Sequence, residues 1–218
     1  MNSILSKVSY FSHLPQEDIL AIQKNALKRN FQTEQIVVME GENNGGLYII
    51  ESGWLKVSKM SMSGREQVLN FLGPGDVFNA IAVFTDHPNQ ASVIALEDST
   101  VWWIDQNTIT KLIQTHPALA KQVIADLASR ILHLIGLVED LSLRTIESRL
   151  ARVLLQSMEN SQVTRQKWAT QNEMAARLGT VPDVLNRALR KFVDEGIIDL
   201  KRHQIRILDI DALKLKID

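Results

Sequence analysis

Between Pro117 and Leu143 the hydrophobic rhythm of this 218-residue chain changes. Ile124, Leu127, Ile131, Leu134, Val138 and Leu141 follow one another at intervals of three and four, the a/d spacing of a coiled coil. Every a position is β-branched and every d position is leucine, the combination that favours a parallel pair of helices. Residues 116–142 therefore read as a dimerisation helix; a buried amphipathic helix is the other reading the pattern allows. Val123, Ile135 and Leu137 flank the seam and are expected to pack against the part of the chain that precedes it.

That preceding part has a different period. Ile36–Met39, Leu47–Ile50, Leu55 with Val57, Val68–Leu72, Val93–Leu96 and Val101–Ile104 are short apolar runs. GENNGG, ESG, MSG, GPG and TDHPNQ separate them, rich in residues that supply positive φ or preset a turn. Short strands at such spacing predict a β-sandwich or jelly roll, with no helical pattern between the strands. LPQEDILAIQKNAL reads as a helical lead-in.

Beyond the seam, Leu143–Ser157 carries Ile146, Leu150, Val153 and Leu154 on one stripe, with Ser142 as a candidate cap. Glu159–Lys167 reads as a polar linker. Then Thr170 and Glu173 form a capping-box pattern, Met174, Ala175 and Leu178 an inner face, and Gly179 a stop. After a short break Pro182 suits the first turn of a second helix. Leu185, Leu189 and Phe192 share one face of it; Asp183, Asn186, Arg187, Arg190 and Lys191 share the other. Two short helices about a glycine turn, the second basic outside, predict a helix-turn-helix. IIDLKRHQIRILD follows as two β-runs joined at Lys201-Arg202-His203, a wing with a basic tip.

Charge divides along the same boundary. From Leu143 onward 14 Lys and Arg face 10 Asp and Glu, a balance of +4; residues 1–142 hold 10 against 15, a balance of −5. A basic carboxyl-terminal third behind an acidic front suits contact with nucleic acid. The chain has no cysteine, which removes disulfides, thiolate nucleophiles, cysteine-bound zinc and iron–sulfur clusters. Its histidines (His13, His87, His116, His133 and His203) are scattered and make no HExxH. No run approaches the ~20 apolar residues of a membrane span, and Lys7, His13 and Pro15 interrupt the amino terminus, so a cytoplasmic protein is expected.

These pieces together resemble the CRP/FNR family of bacterial transcription regulators, over about residues 10–210. Gly41, Gly53, Gly64, Gly73 and Gly75 fall where that family turns its β-roll, LGPGDVFNAIAVF is similar to its signature corner, and QNEMAARLGTVPDVLNRALRKFVDEGII to its helix-turn-helix. The resemblance implies an α+β fold in three parts: an effector-sensing β-roll over 1–115, the dimer helix over 116–142 and a winged helix-turn-helix over 143–218. It implies a homodimeric regulator rather than an enzyme, which binds double-stranded DNA at a near-palindromic operator and meets RNA polymerase. Arg187 and Asp183 stand where the family reads bases with an Arg and a Glu; an Arg donates twice to guanine and a carboxylate accepts from cytosine. Thr170, Gln171, Asn186, Arg190, Lys191 and Arg202 are the further expected DNA contacts.

The effector stays unidentified. Where cyclic-nucleotide members carry a Glu and an Arg-Ser or Arg-Thr pair, this chain has Ala80 and Gln90-Ala91. A cyclic phosphate would then lack a cation, which argues against cyclic AMP. PDVLNR is similar to the recognition helix of haem-based nitric-oxide sensors, so haem stays open with His13 or His133 as axial ligand. A jelly roll also invites a cupin enzyme, but such a site needs clustered histidines and His87 stands alone between Gln35 and Asp105.

Overall fold

The computed structural model describes residues 4–43, 45–85, 87–164, 166–201 and 204–217. Two short 3-10 turns and α1 (Gln16–Asn25) lead into β1 (Leu27–Phe31), β2 (Ile36–Val38), β3 (Gly46–Ser52), β4 (Leu55–Met60), β5 (Glu66–Leu72) and β6 (Val77–Phe78). After α2 (Ala80–Phe84) come β7 (Ser92–Ala95), β8 (Ser99–Asp105), α3 (Gln106–Thr115) and the long α4 (Pro117–Leu143). The remainder is α5 (Ile146–Gln156), β9 (Gln162–Thr164), α6 (Gln171–Arg177), α7 (Pro182–Asp194), β10 (Ile198–Lys201), β11 (Gln204–Ile207) and α8 (Ile210–Lys214). The compact units are Met1–Lys59 with Leu69–His133, and Met60–Val68 with Leu134–Asp218.

Two four-stranded sheets, ordered β1-β8-β3-β6 and β2-β7-β4-β5, form the β-roll. Successive side chains of a strand leave on opposite faces, and β3 uses both. Tyr48 and Ile50 join Val38, Leu55, Phe78 and Val101 between the sheets. Leu47 and Ile49 turn instead to a helical layer that holds Phe11, Ile22, Ile109, Leu119 and Val123. Burial on both faces explains why GLYII is apolar without alternation. The β3–β4 turn depends on Gly53: its φ is +87° and a Cβ there would lie 2.1 Å from Ser99 Oγ.

Several expectations change here. Helix α2 does interrupt the strands, although the β-roll pairs recorded for β7 are antiparallel, with β2 and β4. Strand β1 was not foreseen, because LKRNF is polar; it is an edge strand that pairs with β8 and exposes four of its five residues. Helix α5 is capped by Thr145, whose Oγ1 accepts from Ser148 N at 3.2 Å, rather than by Ser142, which is still within α4. The polar linker contains β9, where the one apolar residue, Val163, is buried.

The second core gathers Leu150, Leu154, Val163, Ala175, Leu178, Leu185, Leu189, Phe192, Ile198, Ile205 and Leu213. Four helices, α5 to α8, and the sheet β10-β11-β9 close around it. Along α4, Val123 is buried as expected, whereas Ile135 is 58% exposed and does not pack as the sequence suggested.

Candidate nucleic-acid interface

Thr170 caps α6 with its Oγ1, which accepts from Glu173 N at 3.2 Å. The helix stops at Leu178, and Gly179 turns the chain with φ +66°. A side chain there would be strained, and its Cβ would lie 2.5 Å from Leu141 Cδ2. Arg149 of α5 donates through Nη1 to the Leu178 carbonyl and so holds the turn from behind. Pro182 then opens α7 at its first position.

Helix α7 is sharply two-sided. Leu185, Ala188, Leu189 and Phe192 are buried, while Asp183, Arg187 and Arg190 are exposed. Among the described residues neither Arg187 nor Arg190 makes an ion pair or hydrogen bond, and Asp183 does not bond Arg187. Asn186 Nδ2 donates to Gln171 Oε1 at 3.4 Å, which joins the two helices of the motif at its surface. These exposed groups suit a polar partner with acceptor edges and phosphates.

Lys191 is placed differently. Its Nζ lies 2.7 and 2.9 Å from the two carboxylate oxygens of Glu147, and this hydrogen bond raises its pKa. Arg202 and His203, the expected wing tip, lie outside the described residues; β10 and β11 pair up to them, Lys201 opposite Gln204. Arg206 was missed in the sequence. It is exposed between buried Ile205 and Ile207, and strand alternation was the signal that could have found it.

The expected dimer seam is partly bare. Ile124, Ile131 and Val138 are 67%, 58% and 63% exposed, and Leu134 is also exposed. Leu127 instead packs partly against the helical layer of the β-roll, and Leu141 is half-buried. Leu132 and Ile135 add to the exposed apolar surface.

In the β-roll, a cavity of about 280 Å³ is lined by Asn70, Asp76, Asp126, Ser129, Arg130 and His133, among others. Its ionisable side chains are already engaged. Asp126 Oδ2 accepts from Tyr10 Oη at 2.6 Å and from Arg130 Nε at 2.6 Å. Arg130 also donates to the Val77 carbonyl. Burial and then the Asp126 hydrogen bond raise the Tyr10 pKa. His133 Nε2 lies 2.9 Å from the Leu69 carbonyl, and Asp76 accepts from Gly73 N at 2.8 Å.

Residues 28–116 match the cyclic nucleotide-binding domain family, and residues 148–215 match the Crp-like helix-turn-helix domain family. A "CRP-like cAMP-activated global transcriptional regulator" of Mycobacterium tuberculosis is 27% identical over 98% of both chains. An "Anaerobic regulatory protein" of Haemophilus influenzae is 28% identical over 85% of this chain and 74% of its own. In fold, a CooA mutant from Carboxydothermus hydrogenoformans superposes with a TM-score of 0.78 at 19% identity, covering 91% of this chain and 90% of that one.

The β-roll residues do not fit a cyclic phosphate. Ala80 is buried and apolar, the Gln90 amide donates to the Pro88 carbonyl, and the cavity sets two carboxylates against the one guanidinium of Arg130, which Asp126 already pairs. A second anion would face uncompensated charge. Nor do they fit haem: His133 sits among polar groups with its Nε2 on a carbonyl, and His13 is exposed, whereas a haem needs an apolar slot beside its axial ligand. The paired domains, in this order and over this much of the chain, identify the molecule as a transcription regulator with a DNA-binding helix-turn-helix and not an enzyme; the chain belongs to the CRP/FNR family.

Proposed function

We propose that two copies of the chain pair along the exposed stripe of α4 and read a near-palindromic operator, one α7 in each of two successive major grooves. The observation that carries this reading is the pair of exposed arginines on α7, unengaged among the described residues and opposite a sealed apolar face. Arg187 donates to guanine O6 and N7, and Asp183 lies one turn before it on the same face. Thr170, Gln171, Asn186 and Arg190 contact the flanking phosphates and base edges. Lys191 reaches a phosphate only by leaving Glu147, so it adds least. The twofold relation of the pair sets the grooves about 34 Å apart.

The stripe supports pairing because Ile124, Ile131 and Val138 stay more than half exposed among the described residues, and burying such side chains stabilises by about 25 cal/mol per Å². Operator binding next to a promoter brings the regulator into contact with RNA polymerase. A small effector in the β-roll, if the chain takes one, is neither a cyclic nucleotide nor haem.

The test starts from a duplex selected from random DNA by the wild-type protein. Anisotropy titrations at one salt concentration then compare that duplex with a scrambled one. Arg187→Ala is expected to lose discrimination by about 1–3 kcal/mol per half-site while non-specific binding and the two-chain stoichiometry persist. Unchanged discrimination removes Arg187 from the reading role.

A further inference from the structure

Helix α4 ends at Leu143 and α5 begins at Ile146, so only Arg144 and Thr145 separate the dimer helix from the reading head. Two residues of non-helical backbone make a hinge unless side chains span it. Here they do. Asp140 Oδ1, in the last turn of α4, accepts from Arg152 Nη1 of α5 at 2.8 Å. The same oxygen lies 3.2 Å from Arg144 Nε. Arg144 also donates through Nη2 to Glu139 Oε1 at 2.8 Å and through Nη1 to the Ile217 carbonyl at 2.6 Å. Buried Ser148 donates to that carbonyl too, at 2.7 Å.

Asp140 is 22% and Arg152 30% exposed at the side chain. Among the described residues Asp140 is the only partner of Arg152. The next arginine on α5, Arg149, donates through Nε to the Arg144 carbonyl at 3.2 Å and through Nη1 to the Leu178 carbonyl. A connected set of contacts thus runs from the end of the dimer helix to the turn of the helix-turn-helix. Two carboxylates, Glu139 and Asp140, pair the guanidinium groups of Arg144 and Arg152, and the Asp140 charge also acts on Arg149. Without Asp140, one carboxylate would face all three.

We propose that the Asp140–Arg152 ion pair is an angular brace, so that Asp140 is a positioning residue that sets the half-site spacing the regulator accepts. This rests on the dimeric reading of an operator given above. A partly exposed ion pair adds little to global stability; fixing one geometry among several is what such pairs are suited to do. One base pair more or less between half-sites moves the second target by about 3.4 Å and turns it by roughly a tenth of a turn. A braced pair of reading heads cannot follow that change, and an unbraced pair can.

The experiment uses the full-length protein and the duplex that the wild type selects from random DNA, remade with one or two base pairs inserted or removed between the half-sites. Affinities are measured for the wild type, Asp140→Asn, Arg152→Gln and the double variant. The wild type is expected to lose about tenfold or more per base pair of change, and each single variant to flatten the series to within about threefold. The double variant is expected to be no flatter than either single one, because all three lack the same contact. Melting temperature and two-chain stoichiometry should hold throughout.

Single variants that keep the wild-type spacing preference, effects that add in the double variant, or a wild type indifferent to spacing overturn the brace. Should Asp140→Asn not fold, Arg152→Gln carries the test, since it removes the contact without leaving the arginines short of a carboxylate. A wild type that selects no sequence at all instead overturns the operator reading on which the brace rests.

Discussion

The β-roll and the reading head treat their polar side chains in opposite ways. In the β-roll cavity Asp126, Arg130 and His133 are bound to one another, to Tyr10 behind them or to carbonyls. On α7, Arg187 and Arg190 point outward and bind nothing among the described residues. A surface that binds a polyanion keeps its cations free for the ligand, whereas a cavity whose charges are internally satisfied gives an incoming anion nothing to gain. The proposed DNA-reading surface is thus left open, whereas the β-roll cavity is closed to an anion.

The contrast is sharpest in stability. Phe192 is fully buried beneath α7. Phe192→Ala should cost about 3–5 kcal/mol in urea unfolding of the carboxyl-terminal unit. If the variant unfolds no more easily than the wild type, the sealed face that orients Arg187 is not what holds the helix.

In the β-roll the corresponding probe is polar. Tyr10→Phe removes a buried hydroxyl from the Asp126 carboxylate, a loss of about 1.5–3 kcal/mol for a hydrogen bond to a charged group. Arg130 still pairs Asp126, which favours the lower end. An undiminished midpoint would mean that the cavity charges are not internally held, and the effector question would reopen toward anions.

Gly179→Ala should cost at least about 1–2 kcal/mol, because φ +66° is strained for alanine and Leu141 must move. DNA affinity should fall with it, since the turn sets how α7 follows α6. Stability falling alone would separate the turn from the reading surface.

The smallest effect is an acid one. Asp105 caps α3, its Oδ1 accepting from Thr108 N at 3.0 Å and its Oδ2 from Thr108 Oγ1 at 2.6 Å, and these bonds hold its pKa below 3.8. With the folded pKa depressed, the stabilisation is present above the ordinary value and is lost as the pH falls through the folded one. Asp105→Ala should cost about 1 kcal/mol at neutral pH, less where solvent screens the carboxylate. The gap from wild type should narrow in acid below 3.8; a gap independent of pH would assign the cap to geometry alone.

What could be read from the sequence follows from what each element buries. Helix α7 was legible because Leu185, Leu189 and Phe192 recur on one face and Asp183, Arg187 and Arg190 on the other. Strand β3 was legible from its apolar run. Strand β1 was not, since an edge strand needs no apolar pattern, nor was β9, three residues around a single Val163. Within the candidate site, Arg187 and Asp183 stood out at helix spacing, but nothing local in Lys191 shows that Glu147, 44 residues away, holds it. The reach of Arg130 to the Val77 carbonyl was equally hidden, because it spans 53 residues.

Sedimentation equilibrium of the purified protein, alone and with its selected duplex, tests the central claim most directly. Two chains per duplex, already paired without DNA or driven to pair by it, is the expected result. One chain per duplex at every concentration would contradict it, because a lone Arg187 could not read two half-sites.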